Sequence, residues 1–260
     1  MRLSQGQLNL LERCPRQFQH TYLDQLGSPT TPEHQERQIW GSRFHLLMQQ
    51  RELGLPIESL VQEDKQLQRW MTAFASAAPE ILTPDTNSQT FRKSEHCRTL
   101  QVQDYLLTVI YDLLIADDRQ AQILDWKTYS KPPNKRKLEQ NWQTRLYLYV
   151  LAETSDYLPE QISMTYWFVQ SEDKPQSLKF TYNNAQHQQS GQRLNRLLSQ
   201  LTTWLQLYEQ AEAFPQVAEG SAHCDGCQFT VRCDRERYSR EETIDKNWLS
   251  NLGTIQEVSL

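Results

Sequence analysis

Two sets of residues in this chain could do chemistry. The first lies in mid-chain: Asp112 in V-I-Y-D-L-L-I, then Asp125 and Lys127 in I-L-D-W-K-T. Two close carboxylates repel each other unless a proton or a cation intervenes. A divalent metal removes that repulsion and can activate water for attack on phosphate. An ammonium beside them can orient the water or offset developing negative charge. The second set is cysteine: Cys14 in E-R-C-P-R-Q-F, and Cys224, Cys227 and Cys233 in H-C-D-G-C-Q-F-T-V-R-C. The late trio, C-x2-C-x5-C, is one ligand short of a four-thiolate centre, and Cys14 is the obvious fourth. Four thiolates serve Zn²⁺ or an iron–sulfur cluster, and spacing alone leans towards zinc, with His223 and Cys97 as further candidate ligands.

These residues need elements to hold them. Residues 91–97, 100–102, 106–115 and 122–126 read as successive strands, with Asp117-Asp118 turning between the last two. Asp125 and Lys127 are two apart, so on a strand they share a face, and the turn brings Asp112 alongside. An isolated D-x-K fits an ordinary surface ion pair. This one follows Ile123-Leu124 and emerges from what reads as a buried strand, where charges need a reason. A helix over 137–154 puts Gln143 and Tyr147, four apart, on one face. Further helices are expected over 34–53, carrying His45 on an otherwise apolar face, over 58–77 and over 184–212. Ser4 is placed to cap the first helix, and residues 162–170 and 177–182 form another hairpin. The order of helices, strand meander, helix, hairpin and helix gives a mixed α/β fold with α+β character.

Composition narrows the class. The 260 residues suit one domain, expected over 1–238, with a polar tail over 239–260, and seven Trp, eleven Tyr and eight Phe can fill its core. No run approaches a membrane span, and the first residues lack the apolar stretch of a signal peptide, so a cytoplasmic setting is expected. Thiols clustered in such a setting hold metal more often than they form disulfides. The net charge of −5 argues against a generic nucleic-acid coat but allows a local basic patch. Lys131, Lys135, Arg136 and Lys137 form such a run directly after D-W-K, with Tyr129 and Trp142 near enough to stack on bases. No G-x4-G-K-S/T occurs, so ATP-driven unwinding would require a separate helicase partner.

Together, His45, Asp112, Asp125–Lys127 and Gln143–Tyr147, in that order, resemble the PD-(D/E)XK nuclease superfamily, in its RecB/AddB-like branch. That branch includes the CRISPR-associated spacer-acquisition exonucleases. The early C-P dipeptide and the late C-x2-C-x5-C extend the resemblance over about residues 4–238. It implies a restriction-endonuclease-like core sheet flanked by helices and a Mg²⁺- or Mn²⁺-dependent deoxyribonuclease. It further implies an exonuclease on single-stranded DNA ends, in repair, recombination or CRISPR adaptation; a non-catalytic DNA-binding subunit is the alternative. By the same resemblance His45, Asp112, Asp125 and the Trp126 carbonyl are metal ligands, and Lys127 handles the attacking water. Gln143 and Tyr147 then contact DNA or support the lysine, Glu95 supports the ligands, and the four cysteines hold a 4Fe–4S cluster. Two departures are visible: Val109 stands where the family usually has glycine, and the second acid is Asp125 where glutamate is commoner.

Overall fold

The computed structural model describes residues 1–27, 32–82, 90–128, 134–170 and 174–235. The chain divides into two compact units, Met1–Val217 and Ala218–Leu260.

The first unit is built on a six-stranded mixed sheet. β2 (Phe91–Val102) runs antiparallel along the whole of β3 (Tyr105–Ala116). The other edge of β3 is shared: β1 (Arg2–Leu3) pairs parallel at Leu106–Leu107, and β4 (Ala121–Lys127) pairs antiparallel from Ala116 to Leu113. β4 then pairs parallel with β5 (Ile162–Phe168), which pairs antiparallel with β6 (Gln176–Thr181). A parallel pair needs a crossover, and α7 (Lys135–Gln140) and α8 (Trp142–Glu153) supply it.

Two hydrophobic cores cover the sheet. One gathers α1 (Gln5–Arg13), α8 and α9 (Asn184–Glu209) around Val109, Tyr111, Ile123 and Tyr166. The other packs α3 (Pro32–Glu52) and α5 (Lys65–Ala77) onto Leu113, Leu124 and Trp126. Ile123 belongs to one core and Leu124 to the next, so β4 is buried on both faces, which explains its unbroken apolar run.

Two expected helices are interrupted, each by a capping side chain. Asp64 accepts from the backbone N–H groups of Gln66 and Leu67, starting α5 afresh after α4 (Glu58–Glu63). Asn141 accepts from Gln143 N–H at 2.8 Å and separates α8 from α7. The two short strands expected over 91–102 are one twelve-residue strand. Cys97, expected in the core, is exposed opposite the exposed Ile110, on the outward face of edge strand β2 that Thr99 and Gln101 also occupy.

The described part of the second unit, 218–235, consists of tight turns. Residues Ala222–Cys224 and Val231–Cys233 each form a single 3-10 turn, and Cys227 N–H donates to the Cys224 carbonyl at 3.1 Å. Gly226 sits at φ +70°, a left-handed conformation that suits glycine between Cys224 and Cys227. The tail expected over 239–260 lies outside the described residues.

Candidate metal and active site

The site forms where β3 and β4 part. Their pairing stops at Leu113 and Leu124, one residue short of Asp112 and Asp125. The Trp126 N–H donates instead to the Asp112 carboxylate, at 2.7 Å. Tyr111 and Leu114 both reach the same core although they are three apart, so the strand's alternation slips at Asp112. Across the β2 ladder, Ser94 faces Leu113 and His96 faces Tyr111, which sets Glu95 opposite Asp112. Glu95 itself is at φ +46°, an uncommon backbone for a glutamate. Two carboxylates facing each other across a ladder are destabilising without a cation between them.

His45 arrives on α3. Its Nδ1 lies 3.3 Å from Asp112 Oδ1, and its Nε2 lies 3.1 Å from the Trp126 carbonyl oxygen. A bidentate contact from Arg92 on β2 to Glu52 fixes the far end of α3, and Arg92 also donates to the Ile81 carbonyl. Gly41, one turn before His45, brings the helix close to β4: a Cβ there would meet Thr128 Oγ1 at 3.2 Å. Burial lowers the His45 pKa, but the hydrogen bond and charge of Asp112 outweigh it and raise the value above the ordinary range. Glu95 is raised too, by burial and then by Asp112.

A second group adjoins the first. Asp125 is 2% exposed. Its Oδ2 accepts from Gln143 Nε2 at 2.6 Å, and Lys127 Nζ donates to Gln143 Oε1 at 2.9 Å. Lys127 Nζ also lies 2.6 Å from Asp125 Oδ1. That contact is an ion pair off the hydrogen-bond direction, and Oδ1 receives no well-aligned hydrogen bond. Burial raises the Asp125 pKa to about 6 despite the lysine, and the Asp112 charge adds to the rise. The Tyr147 hydroxyl lies against Gln143 and is buried, with its pKa well above the usual phenol value. Lys127 Nζ sits 5.1 Å above the Tyr166 ring.

His45, Glu95 and Asp112 each offer a ligand atom, all within 4.8 Å of one another. An imidazole, two carboxylates and the neighbouring Trp126 carbonyl suit Mg²⁺ or Mn²⁺. The expected ligand Asp125 is turned to Lys127 and Gln143, while Glu95, expected only as support, stands among the candidate ligands. Gly41 was not singled out by sequence, although a glycine inside an apolar helix marks close approach of a neighbour. Val109 is buried in the core and three residues from Asp112, so its side chain does not crowd the acids.

The remaining candidates are scattered. Trp142 is buried, donating Nε1–H to Glu12, and cannot stack on a base in this state. Lys135, Arg136 and Lys137 are exposed on α7, with Lys135 Nζ 5.5 Å from the Phe180 ring. Tyr129 and Lys131 lie outside the described residues. Cys14 stands at the junction of α1 and α2 (Pro15–Phe18). The end of the first unit packs on that junction: Arg16 N–H donates to the Pro215 carbonyl and Arg16 Nε to the Phe214 carbonyl. Cys14, Cys224, Cys227 and Cys233 are all free thiols of intermediate burial.

Acid, acid, lysine and histidine around one strand end of a mixed sheet form the kind of site that metal-dependent nucleases use. Residues 2–234 match the PD-(D/E)XK nuclease superfamily, and the chain belongs to it. Among solved structures, the protein SSO0001 is similar at 14% identity and a TM-score of 0.40, covering 89% of this chain and 85% of its own. A candidate exonuclease from Eubacterium rectale is similar at 10% identity and a TM-score of 0.44, covering 95% and 92%. No curated protein matches the chain. No helix among the described residues is long and apolar enough to cross a membrane.

Proposed function

We propose that this chain is a Mg²⁺- or Mn²⁺-dependent deoxyribonuclease that acts as an exonuclease on single-stranded ends. The observation that carries the metal chemistry is the cluster of His45, Glu95 and Asp112 ligand atoms beside the Asp125–Lys127–Gln143 triangle. A divalent cation held there supplies a Lewis acid for the phosphodiester and a water of lowered pKa. The chain's own residues do the rest. Asp112 and Glu95 provide the negative charge that favours the cation, and the Trp126 carbonyl fixes the orientation of His45. Lys127, held by Asp125 and Gln143, presents its ammonium where negative charge builds on the phosphate. Tyr147 keeps Gln143 in place. The exonuclease reading, the preference for single strands, the role in repair or recombination and a helicase partner are carried over from the RecB/AddB resemblance.

The four cysteines are read as ligands of a 4Fe–4S cluster on the same grounds. The family match reaches Met1's neighbour at one end and Asp234 at the other, and so includes all four. Iron and acid-labile sulfide analysis distinguishes the cluster from zinc. Cys14→Ala should lose iron as fully as Cys227→Ala; a cluster that survives loss of Cys14 has a different fourth ligand.

For the active site, Asp125→Ala and Lys127→Ala should abolish Mn²⁺-dependent cleavage of open-ended DNA with the fold intact by circular dichroism. Cleavage at the parent rate by both variants would refute the site. Equal cleavage of end-blocked circles would refute the exonuclease reading alone.

A further inference from the structure

A trough beside α8 is lined by none of the candidate metal or catalytic residues. A cavity of about 240 Å³ lies between α7, α8, β6 and α9, and a second of about 570 Å³ between α1, α8 and α9. Arg145 and Gln189 line both, so the two meet there. We propose that this trough binds single-stranded nucleic acid, with Arg145 holding a backbone phosphate where the cavities join. The identity of the ligand rests on the nuclease reading; the anionic character of the ligand does not.

The charge and the unmet hydrogen bonds point to an anion. Arg136 lines the first cavity, and Arg193 and Arg196 line the second. With Arg145, four arginines stand against Glu12 and Glu139, in a chain of net charge −5. Arg145 Nε is buried and has no hydrogen-bond partner. In the same cavity Gln186 Oε1 is buried and receives no hydrogen bond, although its Nε2 reaches Glu139 at 3.3 Å. An unmet donor and an unmet acceptor on residues lining one cavity suit a ligand that carries a phosphate and a polar base edge. Burial, and then the charge of Arg193, pull the Arg145 pKa below its ordinary value, a strain that an anion relieves.

The second arginine is prearranged. Glu12 grips Arg193 through both Nε and a terminal nitrogen, and the guanidinium lies 5.4 Å from the Trp142 ring. The same Glu12 accepts from Trp142 Nε1. Glu12 offsets much of the Arg193 charge but fixes its position, with less rotamer freedom left to lose on binding. Trp204, only partly buried, provides apolar lining in the second cavity on which a base can rest, while Phe180 is buried beneath the first. Arg145 is two residues from Gln143 on α8, so one rigid helix serves both the trough and the Asp125–Lys127 group.

The test separates binding from chemistry. Binding of a short fluorescent oligothymidylate is measured by anisotropy in EDTA, at several salt concentrations, for the parent, Arg196→Glu and Arg145→Gln. Each variant should bind roughly tenfold more weakly and lower the salt slope by about one. Mn²⁺-dependent hydrolysis of bis(p-nitrophenyl) phosphate, which is too small to need the trough, should be unchanged. Arg196 is exposed, so Arg196→Glu decides the matter even if Arg145→Gln fails to fold. Unchanged affinity in Arg196→Glu would overturn the proposal, as would equal displacement of the strand by thymidine 5′-phosphate, which would make the trough a mononucleotide pocket. Loss of diester hydrolysis in the parent would count against the nuclease reading and leave the binding result standing.

Discussion

Replacing Asp125 with asparagine should stabilise the metal-free protein while removing its activity. Burial holds the Asp125 carboxyl at about 6, against 3.8 for the unfolded chain. For an acid whose folded pKa is raised, the cost is absent below the unfolded value and complete above the folded one. At pH 8 ionised Asp125 therefore costs the fold on the order of 3 kcal/mol, with the attraction of Lys127 already included. Asparagine keeps an acceptor for Gln143 and carries no charge. In a chain of this size a gain of that order raises the melting temperature by roughly 5–10 °C. The gain should fall to about half at pH 5, where much of the parent's Asp125 is already protonated. Thermal melts of parent and Asp125→Asn in EDTA, at pH 8 and pH 5, test both the sign and the pH dependence. Lower stability of the variant at pH 8, or an equal gain at both values, would refute the assignment of the strain to this carboxylate.

Four more outcomes follow from the geometry. Metal affinity should fall as pH drops, because the candidate ligands His45 and Glu95 must lose protons that their surroundings hold unusually well; calorimetric titration with Mn²⁺ across pH 6–8 checks this. Without metal the raised His45 pKa gives the opposite pH dependence: its stabilising contact with Asp112 is complete below 6.5 and lost as pH rises through the folded value, so EDTA-treated protein should melt higher at pH 6 than at pH 8. Gly41→Val should push α3 off Thr128, costing about 1–3 kcal/mol in urea unfolding and weakening Mn²⁺ binding through the displaced His45. Asp64→Ala removes the α5 cap and the partner of Arg43, and should cost about 1–2 kcal/mol in the same assay with little change in cleavage.

Much of the frame was legible in sequence because period and capping chemistry are local. The alternating and doubly buried strands announced β3 and β4, and Asp117 did form the turn between them, accepting from Arg119 and Gln120 N–H at 2.8 Å each. The shared face of Asp125 and Lys127 followed from their spacing. The helix breaks at Asp64 and Asn141 are hidden in the sequence because apolar periodicity runs across both caps. Glu95 is hard to read from sequence for a deeper reason. Its place opposite Asp112 depends on the β2–β3 register and on a left-handed backbone, neither of which a short stretch of sequence declares. The trough was invisible because Arg145, Arg193 and Arg136 come from three separate helices and show no run.

Trp126 contributes to the site in a way its side chain does not reveal. Its indole packs into the helical core against Phe74, while its N–H holds Asp112 and its carbonyl faces His45. The middle position of D-W-K is thus two components on one residue, and no codon change can delete the polar one short of proline. Evolution can exchange the ring for any group that fills the same space, and the orientation of acid and imidazole will persist. A conventional alanine scan would score this residue as packing. Only replacement of the peptide link itself, by an ester at the Asp125–Trp126 bond, would remove the donor and expose how much of the centre is written in main chain.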